Sequence, residues 1–165
     1  MERLWSPWRS QYIASFADEK KGEKKQCAMC EAYKANDDDA RLIVWREHYN
    51  FIVMNLYPYN SGHVMVVPYL HTGNFQELPD ETLSETMELL KRLSAIMKKE
   101  LNADGCNIGC NIGRVAGAGI DNHIHFHIVP RWSGDTNFFP VLTDTKVISE
   151  EMKDTMLKLR RAFGV

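Results

Sequence analysis

Asp121-Asn122-His123-Ile124-His125-Phe126-His127-Ile128-Val129-Pro130-Arg131-Trp132 holds half of the chain's six histidines within five residues, alternating with apolar side chains. In an extended segment successive side chains point to opposite faces, so His123, His125 and His127 line one face and Ile124, Phe126 and Ile128 the other. A helix would spread the three imidazoles around its circumference. Isoleucine, phenylalanine and valine favour strands, and Pro130 is expected to stop the ladder because it has no N–H. The reading is a short strand with one face for the core and one for chemistry. Burying three imidazoles without a purpose would cost hydrogen bonds each time.

Outward from this strand, the punctuation predicts an α+β chain with an antiparallel sheet of about five strands. Arg41 to Trp45 and Asn50 to Asn55 read as two strands around the polar turn 46–49. Leu56 to Gly62 reads as a loop, and His63 to Pro68 as a third strand. Pro79-Asp80-Glu81 opens a long helix, acidic in its first turn, whose stripe Leu83, Met87, Leu90, Leu93, Met97 and Leu101 is expected in the core. Cys106 to Asn111 reads as a fourth strand. Gly113 to Gly119 is a glycine-rich loop whose backbone can approach a ligand. Ser149 to Phe163 reads as a C-terminal helix, capped by Ser149, with Met152, Met156, Leu159 and Phe163 on one face.

At 165 residues the chain is expected to form a single domain with its own core. Residues 1–26 are read as an N-terminal extension packing on it through Trp5, Trp8, Tyr12, Ile13 and Phe16, and residues 149–165 as the C-terminal helix. A net charge of -2 and a sequence pI near 6.3 give no electrostatic reason to expect a nucleic-acid partner. No apolar run has signal-peptide or membrane-spanning length, so a cytoplasmic protein with no membrane partner is expected. The four cysteines do not resemble a secreted disulfide framework and are read as thiols or metal ligands. The acidic run Asp37-Asp38-Asp39 is read as a solvated turn, and Cys106 and Cys110 as small packed residues.

Three histidines on one strand face permit two uses. They can converge on a metal as facial ligands with open positions, or one can act as a nucleophile while others bind an anion. The adjacent glycine-rich loop favours the second, because exposed backbone N–H groups beside imidazoles make a cradle for phosphate oxygens.

His123-Ile124-His125-Phe126-His127-Ile128-Val129-Pro130 resembles the signature of the histidine triad superfamily, and Asn60-Ser61-Gly62-His63-Val64-Met65-Val66-Val67-Pro68 resembles its upstream strand. Leu4-Trp5-Ser6-Pro7-Trp8-Arg9 and Pro130 to Phe138 are most similar to the dinucleoside polyphosphate branch, bacterial diadenosine tetraphosphate phosphorylases in particular. The resemblance implies a homodimer that joins two sheets and binds a nucleotide substrate against the triad strand. It implies His125 as the nucleophile for nucleotidyl transfer, His127 as a phosphate contact and His63 as support. Asn55 falls at a ribose position, and Asn111, Gly117, Ala118 and Gly119 would rim the phosphate chain. Many members carry glutamine where this chain has Gly119, which favours phosphorolysis over hydrolysis. In zinc-bearing relatives the ligands correspond to Cys27, Cys30, His71 and His123, a structural site; no organic cofactor is implied. Two other classes stay open: a metal-dependent hydrolase with His123, His125 and His127 as ligands, and a non-catalytic nucleotide-binding adaptor.

Overall fold

The computed structural model describes residues 27–135 and 150–165. The expected N-terminal extension, Phe138 and the Ser149 cap lie outside the described residues. In chain order the elements are α1 (Ala28–Lys34), β1 (Ile43–Arg46), β2 (Asn50–Met54), β3 (Val64–Pro68), α2 (Asp80–Glu100), β4 (Gly105–Cys110), β5 (Phe126–Arg131) and α3 (Met152–Phe163). The strands form one antiparallel sheet in the order β1-β2-β3-β5-β4. The first three strands are a meander. The α2 crossover then carries the chain past the centre, so β4 takes an edge and β5 returns between β3 and β4.

Two layers of apolar side chains explain why β2 and β3 read as continuous apolar runs: both strands are buried along their whole length. On one face, Ile52, Met54, Val64, Val66, Phe126 and Ile128 pack with Leu89, Leu90, Leu93 and Met97 of α2 and Met156, Leu159 and Phe163 of α3. On the other, Phe51, Val53, Met65 and Val67 pack with Met29 of α1, flanked by Tyr33, Tyr69 and Ile120. The histidines belong to this second face.

Three expectations are corrected. The buried arc of α2 runs through Thr82, Thr86, Leu89, Leu90, Leu93, Ile96 and Met97, whereas Met87 is 63% exposed. At about 100° per residue Met87 sits roughly 120° from the centre of that arc. The arc is turned because Asn50 is buried at the start of β2: its amide donates to Thr82 O and to Glu85, and the Thr86 hydroxyl donates to Asn50 Oδ1. The acidic turn is paired rather than simply solvated, with Asp38 bound by Arg46 and Asp39 by Arg160. Finally, α1 starts at the cysteine pair, where no helix was expected from the sequence. Glu151 stands at the N-cap of α3.

Candidate active site

The histidine segment keeps its alternation but not its ladder. β5 begins at Phe126 and continues through Pro130 to Arg131, so Pro130 does not end it. At that point β5 pairs with β4 alone, and Asn60 Nδ2 donates to the Pro130 carbonyl oxygen at 3.1 Å. His123 and His125 precede the strand, held by Ile124 N–H donating to Thr72 O at 2.8 Å. Ile124 and Phe126 still point into the helix-side core, which leaves the three imidazoles on the opposite face. A Cβ on Gly73 would lie 2.3 Å from the Asp121 carbonyl oxygen, so only glycine lets these two loops meet.

Backbone partners determine the proton on each ring. A carbonyl oxygen only accepts, so His125 Nδ1, 2.8 Å from His123 O, carries a proton and Nε2 keeps its lone pair. Burial holds this imidazole below its ordinary pKa. At neutral pH His125 therefore offers an unprotonated nitrogen, although the ring is only 5% exposed.

The opposite arrangement reaches His127. Tyr59 N–H donates to His63 Nδ1 at 3.1 Å, which places the His63 proton on Nε2. That nitrogen lies 3.0 Å from His127 Nδ1 and donates to it, so the His127 proton is on Nε2, directed away from His63. His125 thus presents a lone pair and His127 an N–H, with ring centroids 4.9 Å apart. Tyr59 stacks on His63 at 4.9 Å between centroids. The amide of Asn55 is turned to His63, 3.3 and 3.4 Å from its two ring nitrogens, while its oxygen accepts from Tyr57 N–H.

Burial and the neighbouring imidazoles push His63 down to about 3, and burial with His125 pushes His127 down to about 4. Above pH 6.5 both are neutral in the folded and the unfolded chain. Below it the unfolded chain takes up protons that the folded site refuses until pH falls to about 4 and 3. Stability is therefore complete above 6.5 and declines as the pH drops through this window, by an amount on the order of several kcal/mol. Urea unfolding at pH 7 and pH 4.5 measures this. A His63→Asn/His127→Asn variant should show a shallower decline, and an equal decline would contradict the buried neutral pair.

On the far side of His125, His123 Nε2 donates to Pro68 O at 2.8 Å, so its Nδ1 keeps the lone pair. That atom lies 3.3 Å from Cys27 Sγ, 3.5 Å from Cys30 Sγ and 3.3 Å from His71 Nδ1, and Cys30 Sγ lies 3.3 Å from His71 Nδ1. Cys27 caps α1 and Cys30 lies in its first turn, which brings both sulfurs to one side. The four ligand atoms lie within 4.8 Å of one another. With Zn–N and Zn–S bonds of about 2.0 and 2.3 Å, tetrahedral ligands stand roughly 3.3–3.8 Å apart, so the donor set fits such a cation. The Pro68 carbonyl would be the outer partner that orients His123 as a ligand.

A cleft of about 400 Å³ opens beside His127, lined by Tyr59, Asn107, Gly109, Asn111, Ala116 and Val129 among others. Asn111 Nδ2 reaches Gly117 O at 3.4 Å, and Arg114 pairs with Asp121 at 2.7 Å across the glycine-rich loop. Ala116 lines the cleft, Ala118 is buried, and Gly117 and Gly119 are half-buried in the same loop. A larger cleft of about 640 Å³, lined by Trp45, Arg46, Leu157 and Arg161, has no histidine. Cys106 and Cys110 are half-buried against the helix-side core. The sequence reading missed Asn60, Tyr59 and Asn107. The G-C-N-I repeat at 105–108 and 109–112 is the signal that marks Asn107, since it puts glycines and asparagines on one face of β4.

Among the described residues no helix is long and apolar enough to cross a membrane. Residues 36–134 match the HIT domain family model. The chain is 35% identical over 158 residues to an AP-4-A phosphorylase of Mycobacterium tuberculosis, covering 94% of this chain and 80% of that protein. It is 29% identical over 109 residues to an adenosine 5'-monophosphoramidase of Candida albicans, covering 64% and 70%. In structure it is similar to a Zn-bound histidine triad family protein from Mycobacterium smegmatis, with TM-score 0.68, 25% identity and coverage of 83% and 92%. With the family model and the relative matching most of its length, this chain belongs to the HIT domain family.

Proposed function

We propose that the protein transfers a nucleotidyl group from a dinucleoside polyphosphate through a covalent intermediate on His125. The observation that carries this is the opposite protonation of neighbouring imidazoles: a lone pair on His125 Nε2 and an N–H on His127 Nε2. The lone pair attacks the α-phosphorus, a P–N bond forms, and the P–O bond to the remaining polyphosphate breaks. The His127 N–H stabilises the leaving oxygen. The acceptor's oxygen then attacks the same phosphorus, the P–N bond breaks and its electrons return to Nε2. With phosphate as acceptor, diadenosine tetraphosphate gives ADP and ATP; with water it gives AMP and ATP.

Gly119, in place of a glutamine, and the AP-4-A phosphorylase relative support phosphate as the acceptor. Incubation with diadenosine tetraphosphate, with and without phosphate, is expected to yield ADP only when phosphate is present. ATP with AMP in both mixtures would establish a hydrolase, and no turnover would leave the adaptor reading. A metal held by His123, His125 and His127 is the poorer alternative. His123 turns its free nitrogen toward the cysteines, while His63 donates to His127 Nδ1.

Structural zinc on Cys27, Cys30, His71 and His123 belongs to the same reading, supported by the donor set and the Zn-bound relative. So does a single domain in a homodimer. Among the described residues nothing pairs with the outer edge of β4, and this edge with the exposed Ile108, Ile112 and Val115 beside it supports that assembly.

A further inference from the structure

We propose that the cleft running from His127 over Gly109 to Asn107 is the subsite for the polyphosphate half of the substrate, and that Asn107 is the residue that selects for it. This rests on the proposed nucleotidyl transfer and adds where the departing chain lies. In the β4–β5 register Gly109 stands opposite His127, Asn107 opposite Val129 and Gly105 opposite Arg131. The cleft therefore follows the strands away from the reacting nitrogen. Gly109 to Asn107 is two residues of strand, about 7 Å, a length that the next phosphates of a chain can cover. Gly109 leaves the floor low: a Cβ there would meet nothing within 4 Å, and its backbone needs no glycine.

The polar side chains at the two ends of this track, His127 and Asn107, have one polarity. Arg131 Nη1 donates to Asn107 Oδ1 at 2.8 Å, which occupies the amide oxygen and turns the NH₂ group outward. Arg131 itself is held by two bonds to Asp135, at 2.6 and 2.8 Å. Among the described residues nothing accepts from Asn107 Nδ2. The cleft thus presents amide donors at Asn107 and an imidazole donor at His127, a row suited to a ligand made of acceptors. Phosphate oxygens at neutral pH are such a ligand. Because Asp135 balances Arg131, selection comes from these donors rather than from net charge. A small amine leaving group, as in a nucleoside phosphoramidate, would not reach Asn107.

Two variants test the groove. Asn107→Asp keeps the acceptor for Arg131 but removes both donors and opposes an oxyanion. Gly109→Val raises the floor with a residue that favours strands. Each is measured with diadenosine tetraphosphate plus phosphate and with adenosine 5'-phosphoramidate. The ratio of kcat/KM for the first substrate over the second is expected to fall about tenfold or more. A ratio within about twofold of the parent's in both variants overturns the proposal. Calorimetric titration with inorganic tripolyphosphate is expected to show binding to the parent protein and weaker binding to Asn107→Asp; equal binding, or none to the parent, counts against the groove. If the parent turns over neither substrate, the proposed function fails, and the tripolyphosphate comparison alone decides the groove. If Asn107→Asp does not fold, Gly109→Val carries both measurements.

Discussion

Replacing His125 with alanine is expected to lower kcat by about ten-thousandfold or more, because a covalent route ends with its nucleophile, while the cleft still binds nucleotide. The ring contributes through one atom. Nδ1 is committed to the His123 carbonyl, so Nε2 alone has a lone pair to give. His127→Ala should cost less, about a hundredfold to a thousandfold, since a donor to the leaving oxygen is lost but the attacking pair remains. His63→Ala should resemble His127→Ala, because without its Nε2–H the His127 proton is free to move to Nδ1 and the donor turns inward. Acid-free quenching of the parent enzyme with substrate labelled in the nucleotidyl group should leave label on the peptide that contains His125. Being a phosphoramidate, the adduct should survive alkali and be lost in acid. Undiminished turnover by His125→Ala, or label on another residue, would remove the mechanism.

The difference between these imidazoles shows where sequence reading stops. The apolar runs Phe51-Ile52-Val53-Met54 and Val64-Met65-Val66-Val67 announce strands because burial on both faces demands apolar residues at every position. The alternation around His123, His125 and His127 announces a face of chemistry for the same reason. Which ring keeps a lone pair on Nε2 and which carries a proton there is decided by Tyr59 N–H and the His123 carbonyl, as the Pro68 carbonyl decides it for His123. Every residue except proline has an N–H, and every residue has a carbonyl, so these partners leave no mark on the sequence. The early end of the β5 ladder is likewise set by Thr72, which is distant in the chain and meets Ile124 only through the close approach at Gly73. α1 was hidden for another reason: with Met29 and Ala32 as its buried residues, it is too short to show a period. Asn107 was legible as half of a repeat, but its role depends on Arg131 lying across the strand pair.

Removing the metal-binding group should cost stability first and activity second. The protein is expected to carry one zinc per chain, lost in Cys27→Ser and Cys30→Ser. A site holding zinc about a thousandfold below its free concentration contributes roughly 4 kcal/mol, and at ~2–4 °C per kcal/mol its loss lowers Tm by about 8–16 °C. The physical reason is that the four donors come from three separate stretches: the start of α1, the loop after β3 and the segment before β5. A tetrahedral cation would tie them together, His71 and His123 included, whose Nδ1 atoms lie 3.3 Å apart. Because the His123 carbonyl also holds His125 Nδ1, loosening this cluster should blur the orientation of the nucleophile. Chelated protein should therefore keep some turnover, with kcat reduced more than KM is raised, and recover both on adding zinc. Metal analysis with thermal melts of the parent and both cysteine variants decides it. A parent free of zinc after growth with the metal, or variants that melt with the parent, would reduce the cluster to four packed side chains. Complete and immediate loss of turnover on chelation, with Tm unchanged, would instead return the metal to the chemistry and favour the hydrolase alternative.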